Sequence, residues 1–253
     1  MLGVIVQARM NSERLPGKVM LEVNGLPIID YLFSQLKYID ALDKTILATT
    51  TNKGDNPLVD YAKSNKINFY RGSEKNVLKR FYQTAKHYNL QHIMRVTGDC
   101  PLLDPNICKA LIDKHFFECA DYTSLGASFA EGSDCELMSF NSLEVAHYNA
   151  KLKSEREHVT LYFINHEKDF VNKVVENDFD DSRYRFTLDE ECDFQVIKAI
   201  IENLSLHHSP PYTSEMIKQF FVQHPEVFEL NKNIVRNEGL INSLIDDEII
   251  ETH

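Results

Sequence analysis

The sequence predicts an α/β protein, a mostly parallel sheet covered by helices on both faces with a small helical appendage at its C-terminal end. Three observations predict it. Short apolar runs of strand length alternate with stretches of helical apolar spacing from the first residues onward, the pattern of strands joined by crossover helices. The 253 residues are 43% hydrophobic and 26% charged, enough to bury one sizeable core. No repeat, low-complexity tract or linker rich in Pro, Gly or Ser interrupts the alternation.

Residues 2–6 (Leu-Gly-Val-Ile-Val) read as a buried strand, and Pro27 opens a helix carrying Ile28, Ile29, Leu32 and Leu36. Residues 45–49 read as a strand, 57–66 as a helix and 67–70 as a strand. Val77, Leu78, Phe81, Tyr82, Ala85 and Tyr88 then recur at helical spacing. A strand over 92–96 and a helix over 105–117 follow. Strands are expected near 120–124 and 135–140, helices over 141–150 and 155–165, strands over 170–176 and 184–188, and a helix over 190–203. Ser209-Pro210-Pro211 closes this body, so the division is 1–208 for the main domain and 209–253 for the appendage, with helices near 213–224 and 237–250. The last of these sets Leu240, Ile241, Leu244, Ile245 and Ile249 on one face, which reads as packing on the chain's own domain, with a homodimer contact as the alternative.

Lys and Arg number 27 against 38 Asp and Glu, a net charge of −11 that opposes a general grip on nucleic acid. No apolar run approaches the ~18 residues of a membrane span, and the first apolar stretch is too short for a secretory core. Five cysteines without C-x-x-C spacing suggest neither a disulfide framework nor a zinc site, so reduced thiols and a cytoplasmic location are expected. The C-terminal acids Glu238, Asp246, Asp247, Glu248 and Glu251 read as a solvated helix face.

The charge is unevenly placed: residues 1–20 hold Arg9, Arg14 and Lys18 against Glu13 alone. These cations lie on a Pro-Gly turn after the first strand, and ligands of open α/β sheets gather at the carboxyl ends of strands. Forked guanidinium groups, an ammonium and turn amides together suit a polyphosphate. No G-x-G-x-x-G follows a strand, and a P-loop fails because Ser12 and Val19 stand where Gly and Ser or Thr are needed. Two acids belong to the same sheet edge. Gly98-Asp99 follows the fourth strand, and Asp189 ends the run Tyr184-Arg-Phe-Thr-Leu-Asp189. Two carboxylates beside a polyphosphate make a magnesium site, although an acid opening a helix, as Asp189 does, is also an ordinary N-cap.

Residues 4–18 (Val-Ile-Val-Gln-Ala-Arg-Met-Asn-Ser-Glu-Arg-Leu-Pro-Gly-Lys), 70–74 (Tyr-Arg-Gly-Ser-Glu), 95–105 (Arg-Val-Thr-Gly-Asp-Cys-Pro-Leu-Leu-Asp-Pro) and 156–160 (Arg-Glu-His-Val-Thr) together resemble the cytidylyltransferases of the SpsF, or spore-coat-polysaccharide, type. These are relatives of acylneuraminate and 3-deoxy-manno-octulosonate cytidylyltransferases. The resemblance covers about residues 2–203, and 236–239 (Arg-Asn-Glu-Gly) shares it. It implies a Rossmann-like, nucleotide-diphospho-sugar transferase fold, with CTP as donor, Mg2+, and a CMP-sugar product in surface polysaccharide synthesis.

By the same resemblance, Arg9, Ser12, Arg14 and Lys18 contact the triphosphate, with Ala8 and Thr97 beside them, Arg71 lies near the cytidine, and Asp99 and Asp189 hold the metal. Arg9, Arg14, Lys18 and Asp99 are then the expected catalytic set. The chain departs from its relatives at residues 131–136 (Glu-Gly-Ser-Asp-Cys-Glu) and 190–193 (Glu-Glu-Cys-Asp). Asp134 and Glu136, two apart on a strand, share a face that is either solvated or addressed to sugar hydroxyls. Arg156 suits a carboxylate or phosphate on a small acidic acceptor, and His158 reads as either a structural histidine or a substrate contact. Ser154 and Glu157 form a capping-box pattern. The alternatives are another nucleotide or a sugar 1-phosphate as substrate, or a nucleotide-binding module without chemistry.

Overall fold

A computed structural model describes residues 1–245 and 247–249. Its main sheet contains β1 (Leu2–Gln7), β4 (Lys44–Thr50), β5 (Asn68–Gly72), β6 (His92–Thr97), β7 (Tyr122–Leu125), β8 (Cys135–Ser139) and β9 (Asn172–Val175), in the order β5-β4-β1-β6-β8-β7-β9. The pairs β5-β4, β4-β1, β1-β6 and β7-β9 are parallel, whereas β8 runs antiparallel to both β6 and β7. A small hairpin, β2 (Glu22–Val23) and β3 (Leu26–Pro27), stands apart.

Both faces of the sheet are covered, which is why β1 is apolar throughout rather than alternating. Leu2, Val4 and Val6 pack with α1 (Ile28–Leu36), α2 (Asn56–Ser64) and α4 (Pro105–Phe117). Ile5, Ile46 and Ala48 face the other way, against α3 (Val77–His87) and α5 (Phe140–Asn149). Gly3 is needed on that second face, since a Cβ there would meet Leu90 Cδ2 at 2.6 Å. A third cluster joins α8 (Glu191–His207) and α9 (Ser214–Gln223) to Ile28, Tyr31 and Phe186, so the chain after Ser209 shares a core with what precedes it.

Three expectations are corrected. Residues 184–188 do not form a strand; they run extended with a single bridge, Glu131 to Arg185. The helix expected over 155–165 is broken into α6 (Lys153–Glu157) and α7 (Leu161–Asn165) by Val159, a buried β-branched residue at φ 54°. The Thr160 N–H turns back to the His158 carbonyl, a three-residue turn that β-branched residues rarely enter. The capping role expected of Glu157 belongs to Glu155, whose carboxylate accepts from the Lys151 and Leu152 amides at 3.2 and 3.3 Å.

The short α10 (Pro225–Phe228) leads to α11 (Glu238–Ile245), which leaves Ile241, Leu244 and Ile245 exposed rather than packed on the core. The expected continuation of this helix to residue 250, and Asp246 and Glu251 of the acidic run, lie partly or wholly outside the described residues. Among the described residues no helix is long and apolar enough to cross a membrane.

Candidate active site

The turn after β1 is built by its backbone. The Gly17 N–H closes it onto the Met10 carbonyl at 2.7 Å, and Gly17 takes φ 72°, a conformation that costs glycine least. Asp55, buried, anchors the turn from outside by accepting from the Met10 N–H at 2.7 Å while also accepting from Thr50. Lys18 therefore begins a short 3₁₀ turn, Lys18–Met20, and its ammonium points inward.

That ammonium lies 2.7 Å from Asp99 Oδ2 and 2.9 Å from Asp189 Oδ1. Asp99 reaches it because Gly98 brings the end of β6 against β1: a Cβ on Gly98 would stand 3.0 Å from the Ala8 Cβ. Asp189 reaches it because residues 184–188 run alongside Glu131 and Asp99. The Tyr184 carbonyl accepts from the Glu131 N–H, and the Leu188 N–H donates to the Asp99 carbonyl at 2.8 Å.

The cap expected of Asp189 is supplied by Asp193, which accepts from the Asp189 and Glu190 amides at 3.0 and 2.9 Å. Asp189 is thereby released to pair with Lys18, with Arg14 at 3.0 Å and with Arg185 at 3.2 Å. Arg185 is the brace beneath, bound to Asp193 at 2.8 Å through both oxygens and to Glu131 at 2.5 Å, with Asn231 completing the group.

Burial alone would lower the Lys18 ammonium and raise the Asp99 carboxyl, but their attraction outweighs it: Lys18 is raised and Asp99 lowered. For Arg185, likewise, burial is overcome by Asp193 and Glu131 and the net shift is upward.

Two hollows meet at this point. The first, about 640 Å3, is lined by Ala8, Arg9, Ser12, Arg14, Lys18 and Thr97, and by Gln7, whose Oε1 is buried without a partner among the described residues. The second, about 800 Å3, lies beyond Asp99 and is lined by Asp134, Glu136, Arg95 and Tyr122. His158 borders both. Glu136 accepts from Arg95 and Tyr122, each at 2.5 Å, and Asp134 accepts from the Gly132 N–H at 2.9 Å. Asp134 opens to the hollow yet is enclosed enough that burial raises its carboxyl.

Two of the expected residues are not brought to either hollow. Arg71 donates to the Thr50 and Asn52 carbonyls and to Asn56 Oδ1, tying down the loop after β4. Arg156 is buried, and its Nη2 donates to the Ala150 carbonyl at 2.6 Å.

The walls also include part of the C-terminal segment, whose acids read from the sequence as a solvated helix face rather than as part of a site. Residues 236–245 and 247–249 lie along the mouth of the cleft: Glu238 pairs with Arg14 at 3.1 Å, Ser243 Oγ lies 2.8 Å from His158 Nε2, and Asp247 binds Ser154 at 2.6 Å.

The cytidylyltransferase family profile matches residues 3–236. This chain belongs to the cytidylyltransferase family. It is 32% identical over 205 residues to the spore coat polysaccharide biosynthesis protein SpsF of Bacillus subtilis, covering 78% of this chain and 85% of that one. A 3-deoxy-manno-octulosonate cytidylyltransferase of Aeromonas salmonicida is 24% identical over 165 residues, covering 63% of this chain and 60% of that protein. Among solved structures, a cytidylyltransferase from Leptospira borgpetersenii superposes with a TM-score of 0.85 at 29% identity, covering 92% of this chain and 98% of that one. The family resemblance read from residues 4–18 and 95–105 is thus established, and with it the mostly parallel, Rossmann-like fold.

Proposed function

We propose that this enzyme transfers CMP from CTP to an acidic sugar acceptor in surface polysaccharide synthesis, releasing pyrophosphate. The observation that carries the reading is the convergence of two carboxylates from distant segments on one buried ammonium, at the junction of two hollows of substrate size. In this reading the first hollow takes the nucleotide and the second the acceptor. The acceptor oxygen then attacks the α-phosphorus from the Asp99 side, and pyrophosphate leaves along the 9–18 turn.

Lys18, Arg9 and Arg14 neutralise the charge that builds on the phosphates, and Ser12 adds a hydroxyl donor. Little covalent work falls to the protein, so holding the two reactants in line supplies much of the acceleration. Asp99 and Asp189 fit Mg2+. Their oxygens already aim at one cation-sized point, and an ion held by two carboxylates plus substrate phosphates is the arrangement magnesium favours. When bound there, the ion would polarise the α-phosphate. A cation held by these carboxylates would free Lys18 to turn toward the phosphates.

The test is pyrophosphate release from CTP, UTP, GTP and ATP with Mg2+ over a panel of acidic sugars. Release is expected with CTP, and Asp99→Asn should lower it by about 100-fold or more at unchanged melting. Equal release from all four nucleotides, or full activity in Asp99→Asn, would contradict the reading.

A further inference from the structure

Most charges lining the second hollow already have ion-pair partners. Arg95 pairs with Glu136 at 2.5 Å, Glu131 with Arg185 at 2.5 Å, and Asp99 and Asp189 with Lys18. Two lining charges, Asp134 and Arg236, have no ion-pair partner among the described residues. Arg236 lies near enough to Asp134 to oppose the upward push that burial gives its carboxyl.

Arg236 is held in place by backbone. Its Nη1 donates to the Ala127 carbonyl at 3.1 Å and the Phe129 carbonyl at 2.9 Å, which fixes the plane of the guanidinium at the rim of the hollow. Its own segment is fastened on the far side by the pairing of Glu238 with Arg14 and of Ser243 with His158. A guanidinium whose plane is fixed in advance loses little freedom on meeting a planar oxyanion, and its fork matches a carboxylate. Arg156, the cation expected for this task, is buried and turned to the Ala150 carbonyl.

We infer that Arg236, carried in by the C-terminal segment, reads the carboxylate of the acceptor, while Asp134 accepts from acceptor hydroxyls. The inference rests on the assignment of the two hollows to nucleotide and acceptor. It makes the tail part of the acceptor site, joining residue 236 to the loop at 127–131.

The test is calorimetry on the whole chain with Mg2+ and a non-hydrolysable α,β-methylene analogue of CTP. The probes are 3-deoxy-manno-octulosonate and N-acetylneuraminate, the C1 amide of each, and a sugar 1-phosphate. The wild-type protein should bind at least one acid about tenfold or more tightly than its amide. Arg236→Gln should lose that preference while binding the CTP analogue as before. Arg236→Lys, which keeps the charge without the fork, should retain part of it and guards against a folding artefact.

Arg236→Gln with its preference intact, a wild type that binds acid and amide alike or neither, or tighter binding of the sugar 1-phosphate would each overturn the inference. Failure of wild type to bind the CTP analogue would instead count against the functional reading beneath it.

Discussion

Lys18 holds the resting site together. At 8% exposure it separates two carboxylates that would otherwise face each other, and in this low-dielectric pocket the three charges interact more strongly than they would in open water. Lys18→Met should therefore lower stability by about 1–3 kcal/mol and activity by about 100-fold or more. Added Mg2+ with CTP should restore much of the stability by replacing the lost cation. Urea unfolding with and without Mg2+ and CTP checks this, and a stability loss that these ligands leave untouched would contradict it.

Asp193 is the more structural acid, fully buried and paired with Arg185 and Asn231. Asp193→Ala should cost about 3 kcal/mol by leaving part of a buried guanidinium unpaired, with the melting midpoint as the readout. At this scale the sequence was informative about where charges gather, but less so about where long side chains turn. Arg9, Arg14, Lys18, Asp99 and Asp189 are legible because strand ends and turns confine where their side chains can point. Arg71 and Arg156 have long flexible side chains, and backbone carbonyls at 50, 52 and 150 capture them. Asp55, Arg185 and Arg236 matter through partners 45, 54 and about 107 residues away, and no local pattern announces such pairings.

Among the elements, β6, α4 and β7 meet through His92, His115 and Thr123. His115 Nε2 lies 3.1 Å from His92 Nδ1, and His115 Nδ1 lies 2.9 Å from Thr123 Oγ1. Burial and the neighbouring His92 push His115 from an ordinary 6.5 down to about 4. The folded protein thus resists a proton that the unfolded chain accepts. Stability from this group is fully present above pH 6.5 and is lost as pH falls toward 4, by up to about 3 kcal/mol. Urea midpoints at pH 7 and pH 5 should fall more in wild type than in His115→Gln; equal falls would contradict it.

The extended run 184–188 illustrates what periodicity can and cannot say. Its apolar residues are buried as a strand's would be, but its partners are the 129–132 loop and Asp99, so it carries an acid to the site without joining the sheet. Gly132, at φ 109°, permits this approach, since a Cβ there would stand 2.7 Å from the Phe186 backbone. Gly132→Ala should destabilise by about 2–4 kcal/mol, read as a lower melting temperature.

At the scale of the whole molecule, the alternation of strands and helices was legible because a parallel sheet buried on both faces demands apolar strands and amphipathic crossovers. The return of residues 236–245 across the cleft was not, nor was the contact of residue 247 beside it. Its acids read as a solvated face, yet Glu238 and Asp247 are spent on Arg14 and Ser154 at the mouth of the site. An acidic protein of net charge −11 thus gathers a cationic turn, two converging carboxylates and its own tail around two adjoining hollows. In the proposed function, Asp99, Asp189 and the 9–18 turn act as one nucleotide and metal site. Mn2+ binding followed by electron paramagnetic resonance, with and without CTP, is the measurement that decides this. Wild type should bind Mn2+ about tenfold or more tightly with CTP present, and Asp99→Asn and Asp189→Asn should each lose that gain. Mn2+ binding indifferent to CTP, or unchanged in both variants, would rule out a shared site.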